Sequence, residues 1–139
     1  MQPEIVEFLQ TDRNAILATN GPNGAPQLTP VWFIFEEGVL YVSAQVSTVK
    51  IRNLRRDPTV TVCIDGGRGD ARYVVLYGKG ELIEPEAPRQ EPLRWQIVRH
   101  YYADESDARR YYETVKDSPA AVIALRPQRV VAQGFPQAA

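Results

Sequence analysis

Apolar residues open the chain at helical spacing and then settle into alternation. In PEIVEFLQ (3–10), Ile5, Phe8 and Leu9 share a face, and Pro3 suits a first helical turn. NAILATN (14–20) reads as a strand closed by the compact turn GPNG at 21–24. PQLTPVWFIF (26–35) predicts one long strand, with Leu28, Trp32 and Ile34 on one face and Val31, Phe33 and Phe35 on the other. Two apolar faces imply cover on both sides. Pro30 has no amide hydrogen, so this strand needs an edge, a bulge or a ligand at that point. EEG (36–38) turns the chain into VLYVSA (39–44), a third strand. A short helix follows over 48–56, with Ile51 and Leu54 as its buried stripe, and Pro58 stops it. TVTVCI (59–64) alternates as a fourth strand, in which Cys63 is expected as a small core residue. DGGRGDA (65–71) has the composition of a mobile loop.

RYVVLYGKGELIE (72–84) is a fifth strand, with Gly78 and Gly80 on one face, a spacing that lets another backbone or a ligand come close. A connector rich in Pro and Glu (85–92) leads to helices over about 91–103 and 106–116, the second with Ser106 as N-cap. AAVIAL (120–125) gives a sixth strand and QRVVAQGF (128–135) a seventh, separated by a break at Pro127. Seven short strands and few helices predict a mainly β, α+β chain: an antiparallel barrel with flanking helices. The strands lie too close together for helical crossovers, which excludes a doubly wound parallel sheet.

Composition narrows the picture. The 139 residues suit one domain (1–139), and 44% hydrophobic residues suffice for a real core. A net charge of −1 supplies no global field toward nucleic acid, so an anion site must be local. No stretch is apolar enough to span a bilayer, and MQPEIVEFLQ lacks the pattern of a signal peptide. The single Cys63 cannot form an intrachain disulfide and has no zinc-type spacing. The expectation is a cytoplasmic protein with neither nucleic-acid nor membrane partner. No paired carboxylates, metal-ligand cluster or nucleophile–base pair stands out.

One local feature remains. STVKIRNLRRDP (47–58) carries Lys50, Arg52, Arg55 and Arg56. On the expected helix Lys50 and Arg55 border the buried stripe, while Arg52 and Arg56 point mostly to solvent. Lys50 lies near the helix start, where unpaired amides and a partial positive charge bind phosphate. Ser43, Ser47 and Thr48 add hydroxyl donors. The alternative is an ordinary solvated face whose last arginines favour the helix dipole; the spacing leaves both open. His100, beside Ile97 and Tyr101, suits packing or the surface. Trp95, Tyr101, Tyr102, Tyr111 and Tyr112 form aromatic stripes, assigned first to core or dimer contact and second to an acceptor pocket.

GAPQLTPVWFIFEEGVLYVSAQVSTVKIRNLRRDPTVTVCID, followed by YVVLYGKGEL, resembles the flavin/deazaflavin split-barrel oxidoreductases, distant relatives of pyridoxamine-phosphate oxidase, and within them the branch using coenzyme F420. The K-x-R-N-L-x-x-D-P run is its most specific part, and YETVKDSPAAVIALRPQRVVAQGF also looks like this branch. The resemblance covers about residues 3–135. It implies a homodimer of FMN-binding-type split β-barrels, a cofactor groove between subunits and a small-molecule substrate. By position, Gln27, Pro30, Val31 and Trp32 would contact the ring system. Val42 and Ser43 would flank the ring or ribityl chain. Ser47, Thr48, Val49 and Lys50 would hold the phosphate, with Asn53 supporting that loop. F420 is the implied cofactor and FMN the alternative; a non-catalytic flavin carrier is the rival reading. Pyridoxamine-phosphate oxidases carry an arginine and a lysine where this chain has Gln27 and Trp32, and their arginine-bearing C-terminal segment has no counterpart in GFPQAA. Vitamin B6 oxidation is therefore not expected. The deazaflavin branch often has a cation at the position of Thr48, so Arg55 is a further candidate for the phosphate, and Arg68 for a cofactor tail.

Overall fold

The computed structural model describes residues 1–136, so the end of the expected 1–139 domain lies outside the described residues. The elements are α1 (Pro3–Leu9), β1 (Ala15–Asn20), β2 (Pro26–Val31), β3 (Ile34–Glu36), β4 (Val39–Gln45), α2 (Val49–Arg56), β5 (Thr59–Asp65), β6 (Tyr73–Ile83), α3 (Gln90–His100), α4 (Glu105–Val115) and β7 (Ala120–Gln133). All strands join one antiparallel sheet in the order β2-β1-β5-β6-β7-β4-β3.

That order dictates curvature. β2 and β3 occupy opposite edges, yet only Trp32 and Phe33 separate them along the chain. From Val31 to Ile34 the chain spans at most about 11 Å. Seven flat strands would put the edges roughly 29 Å apart. The sheet therefore curls until its edges meet, giving the mainly β split barrel with flanking helices expected from the sequence. The inward positions of β1, β5 and β6, Leu17, Val62, Ile64 and Leu76 among them, pack with Leu40, Val42, Ile123 and Leu125 into one core. Phe8 of α1 and Ile51 and Leu54 of α2 join it. Each such side chain contributes about 1.5–3 kcal/mol through removal from water.

Two strand expectations need correction, and the errors cancel in the count of seven. The single strand over 26–35 is broken at Trp32–Phe33, because the chain passes there from one sheet edge to the other. β2 is not covered on both sides either: its residues alternate between exposed and half-buried, and Leu28 is 60% exposed. Its edge position explains how Pro30 is tolerated. Conversely, 120–125 and 128–135 are not separate strands. β7 runs through Pro127, and a bulge absorbs the irregularity: Gly78 pairs with Pro127 and Tyr77 with Arg129, leaving Gln128 between. Gly78 serves that bulge, since a Cβ there would sit 2.8 Å from Leu125 Cδ1 and 2.9 Å from the Arg126 carbonyl oxygen.

Three smaller expectations also change. Cys63 is half-buried on the face opposite Val62 and Ile64, not in the core. The N-cap of α4 is Asp104, whose Oδ1 accepts from the Ser106 amide at 2.8 Å, so Ser106 lies inside the helix. The 65–71 loop is tied down. Asp70 accepts from the Arg72 side chain and backbone, which holds its carboxyl at about 2, and Arg13 donates to the Gly66 carbonyl oxygen. Arg13 also lies over the Phe8 ring, 3.8 Å from its centroid. Among the described residues no helix is long and apolar enough to cross a membrane.

Candidate functional site

Where the sheet edges meet, a cleft of about 370 Å³ opens between β2, β4, the start of α2 and the α3–α4 pair. Pro30, Val31 and Trp32 bring one wall, Ser43, Ala44 and Gln45 a second, and Lys50 the α2 end. Ile97 and Val98 of α3, and Tyr111, Tyr112 and Val115 of α4, close the far side. This is the size and largely apolar character of a small-molecule site.

The cations of α2 fall into two groups. Arg55 makes two hydrogen bonds to Glu84, at 2.7 and 3.0 Å, and would have to give these up to serve as a further phosphate ligand. Arg52 donates to the Ser47 carbonyl oxygen, and Arg56 to the Asn20 carbonyl oxygen and Asn53 Oδ1. Both are exposed, as expected, but neither is idle. Lys50 alone of the four has no hydrogen-bond or ion-pair partner among the described residues, and it faces the cleft. Partial burial lowers its pKa from the ordinary lysine value. The first intrahelical bond of α2 runs from the Arg52 amide to the Thr48 carbonyl oxygen, so the amides of Val49, Lys50 and Ile51 lie outside the helical ladder.

The other expected site residues divide. Pro30, Val31, Trp32, Ser43 and Lys50 share the cleft. Gln27 does not line it but sits on the same inward face of β2 as Val31. Gln27 Oε1 and Thr29 Oγ1 are enclosed and have no hydrogen-bond partner among the described residues, an arrangement that buried polar atoms rarely tolerate. Val42 is fully buried in the core, so its side chain cannot flank a ligand in the cleft. Ser47 and Val49 are exposed outside the cleft, and Thr48 Oγ1 is bound to the Gln45 carbonyl oxygen at 2.7 Å. These three are placed to offer backbone rather than side chains. Asn53 is buried and donates to Thr19 Oγ1 at 3.0 Å, which ties α2 to β1.

Sequence reasoning missed how Trp32 is held. Its ring stacks on Tyr101, with centroids 4.9 Å apart and planes 6° from parallel. Tyr101 Oη accepts from the Phe33 amide at 3.1 Å and donates to the Arg13 carbonyl oxygen at 2.9 Å. One tyrosine thus fixes the break between β2 and β3. Burial pushes its pKa up to about 12, keeping the hydroxyl a donor. His100 packs edge-on against Tyr101, in the packing role expected. No periodic signal marks this bridge in the sequence, nor Arg94, which also lines the cleft. Tyr111 and Tyr112 were visible only as stripes.

The sequence pattern of the family described as Pyridoxamine 5'-phosphate oxidase matches residues 1–134. Among solved structures, a conserved hypothetical protein from Mycobacterium tuberculosis is 25% identical, with a TM-score of 0.77 over 100% of this chain and 91% of the other. A protein described as an F420 reductase is 21% identical, with a TM-score of 0.69 over 90% and 94%. An FAD-binding protein from Mesorhizobium loti is 19% identical, with a TM-score of 0.68 over 95% and 94%.

Proposed function

The chain belongs to the pyridoxamine 5'-phosphate oxidase family, and from that premise we propose that it is an oxidoreductase using reduced coenzyme F420 to reduce a small conjugated acceptor. The observation that carries this reading is Lys50, the α2 cation with no partner among the described residues, facing a cleft walled by Pro30, Val31 and Trp32. Lys50 and the free amides at the α2 start would hold the phosphate, with the Ser43 hydroxyl beside them. Gln27 and Thr29, whose polar atoms lack partners, would hydrogen-bond the polar edge of the ring or its chain. The bound deazaflavin supplies hydride in two-electron steps and reacts slowly with oxygen. The chain's own work is to fix the ring against the β2 wall, keep the other face open and exclude water. Such positioning is worth several kcal/mol of barrier.

A homodimer belongs to the same proposal. Ile16, Leu28 and Tyr73 lie on the face of the sheet away from the core and remain 38%, 60% and 38% exposed. A second copy covering them would complete the groove.

The test is a titration with F420 and with FMN, followed by oxidation of the reduced deazaflavin with a panel of acceptors. F420 should bind more tightly and turn over with some members. Tighter FMN binding overturns the cofactor choice, and binding without turnover across a broad panel favours a carrier.

A further inference from the structure

The cleft has a second cation, and no described residue lining it is a carboxylate. Arg94 of α3 is half-buried; it donates from Nη1 to the Lys116 carbonyl oxygen at 3.2 Å and from Nη2 to the Val115 carbonyl oxygen at 2.9 Å. A guanidinium has five N–H groups, so three remain. No ion pair among the described residues includes Arg94, although Glu91 stands one turn before it on α3. Tethering the end of α4 accounts for two of its hydrogens. It does not account for the other three, nor for a lining with two cations and no anion. The same cleft lining holds two partly open rings. Trp32 and Tyr111 are 38% and 39% exposed, with centroids 5.6 Å apart.

We propose that the α3–α4 end of the cleft seats the acceptor and selects a planar conjugated carboxylate, its ring against Tyr111 and Trp32 and its carboxylate on the uncommitted N–H groups of Arg94. The word acceptor rests on the oxidoreductase reading; the site and its ligand class do not. Aromatic walls recognise flat π-systems without regard to substituent. The planar fork of Arg94 adds the discrimination, because it matches a carboxylate with paired hydrogen bonds. A cationic ligand of the same shape would meet two positive side chains and no counter-charge.

The experiment uses the full chain carrying Trp95→Phe, which leaves Trp32 as the sole tryptophan. Quenching of its fluorescence is titrated with 4-nitrobenzoate and with the neutral 4-nitrobenzamide. The carboxylate should bind about tenfold more tightly, the scale of one charge-assisted hydrogen bond. Adding Arg94→Gln should bring the two affinities within twofold while leaving the amide's affinity in place. Adding Tyr111→Ala should weaken both probes alike. Equal affinities in the Trp95→Phe chain, or a preference that survives Arg94→Gln, overturns the proposal. So does a preference removed by Lys50→Met but not by Arg94→Gln, which would put the anion on Lys50 instead. The ratio within each variant is internally controlled, because misfolding would lose both probes. Failure of F420 to bind would remove the cofactor reading and leave this ratio standing; failure of the ratio would leave the F420 titration intact.

Discussion

Replacing Lys50 by Met removes the ammonium and keeps most of the stem. No hydrogen bond or ion pair among the described residues is lost with it, so the fold should hold. The functional loss is that of one charged hydrogen bond to phosphate, about 1.5–3 kcal/mol, or roughly 10- to 150-fold in cofactor Kd. Binding should not vanish, because the amides of Val49, Lys50 and Ile51 remain. Titration of F420 into both proteins by fluorescence gives the ratio directly. The pH dependence adds a second readout. Burial places the Lys50 pKa below its ordinary 10.5, so the ammonium is lost as pH rises through that lowered value. A bound phosphate favours the charged form. Wild-type affinity should therefore fall on the alkaline side before pH 10.5, Lys50→Arg should abolish the fall, and Lys50→Met should be flat. Arg56→Met is the control: it loses bonds to Asn20 and Asn53, so it should cost about 1 kcal/mol of stability without changing Kd. A Lys50→Met Kd within twofold of wild type, or an equal loss in Arg56→Met, would refute the reasoning.

Tyr101→Phe leaves the Phe33 amide and the Arg13 carbonyl without their shared partner. Urea unfolding should show a loss of about 1–3 kcal/mol, while Tyr102→Phe, with no hydroxyl bond among the described residues, stays within about 0.5. Gly78→Ala drives a Cβ against Leu125 and the Arg126 carbonyl and should cost about 1–3 kcal/mol in the same assay. Asp70 titrates near 2 when folded, below its ordinary 3.8, so its stabilisation is complete above the ordinary value and disappears as pH falls toward 2. Urea midpoints of wild type and Asp70→Asn should differ by a constant amount from pH 7 to about 5 and converge toward pH 2; a gap independent of pH would exclude the Arg72 hydrogen bonds as its source.

The fold was legible wherever a strand has one wet and one dry face. β1, β5 and β6 alternate cleanly, and their expected spans hold within a residue or so. It was illegible where tertiary closure overrides local pattern. Nothing in VWFIF marks a crossing between sheet edges, since Trp32 and Phe33 have strand propensity; the crossing is set by Tyr101, 68 residues from Phe33 along the chain. Pro127 punctuates correctly but loses to the bulge that Gly78 permits. In the site, Lys50 was found from its place at a helix start. Arg94 was not, because its distinction is what it holds and what it shares a cleft with: the carbonyls of Val115 and Lys116, and aromatic rings from distant elements. Those are properties of a cleft assembled from elements far apart in sequence.

The charges of the cleft bear on the choice between cofactors. FMN ends in a phosphate monoester, which carries about −1.5 to −2 near neutral pH. The phosphate of F420 is a diester with a single negative charge. Against it, this chain offers one ammonium and a helix start worth roughly half a positive charge. Gln27 and Trp32 stand where the pyridoxamine-phosphate oxidases place cations, so neither brings a charge to a phosphate. Arg52, Arg55 and Arg56 are already bound to protein oxygens, and recruiting one would break those bonds. Against a protein charge of about +1.5, a monoester would leave between zero and about −0.5 and a diester about +0.5, so local charge alone does not separate the two cofactors, and the paired F420 and FMN titrations decide between them. The arginines of α2 look like surplus cations in the sequence; held by carbonyls and Glu84, they leave Lys50 as the α2 cation without a partner among the described residues.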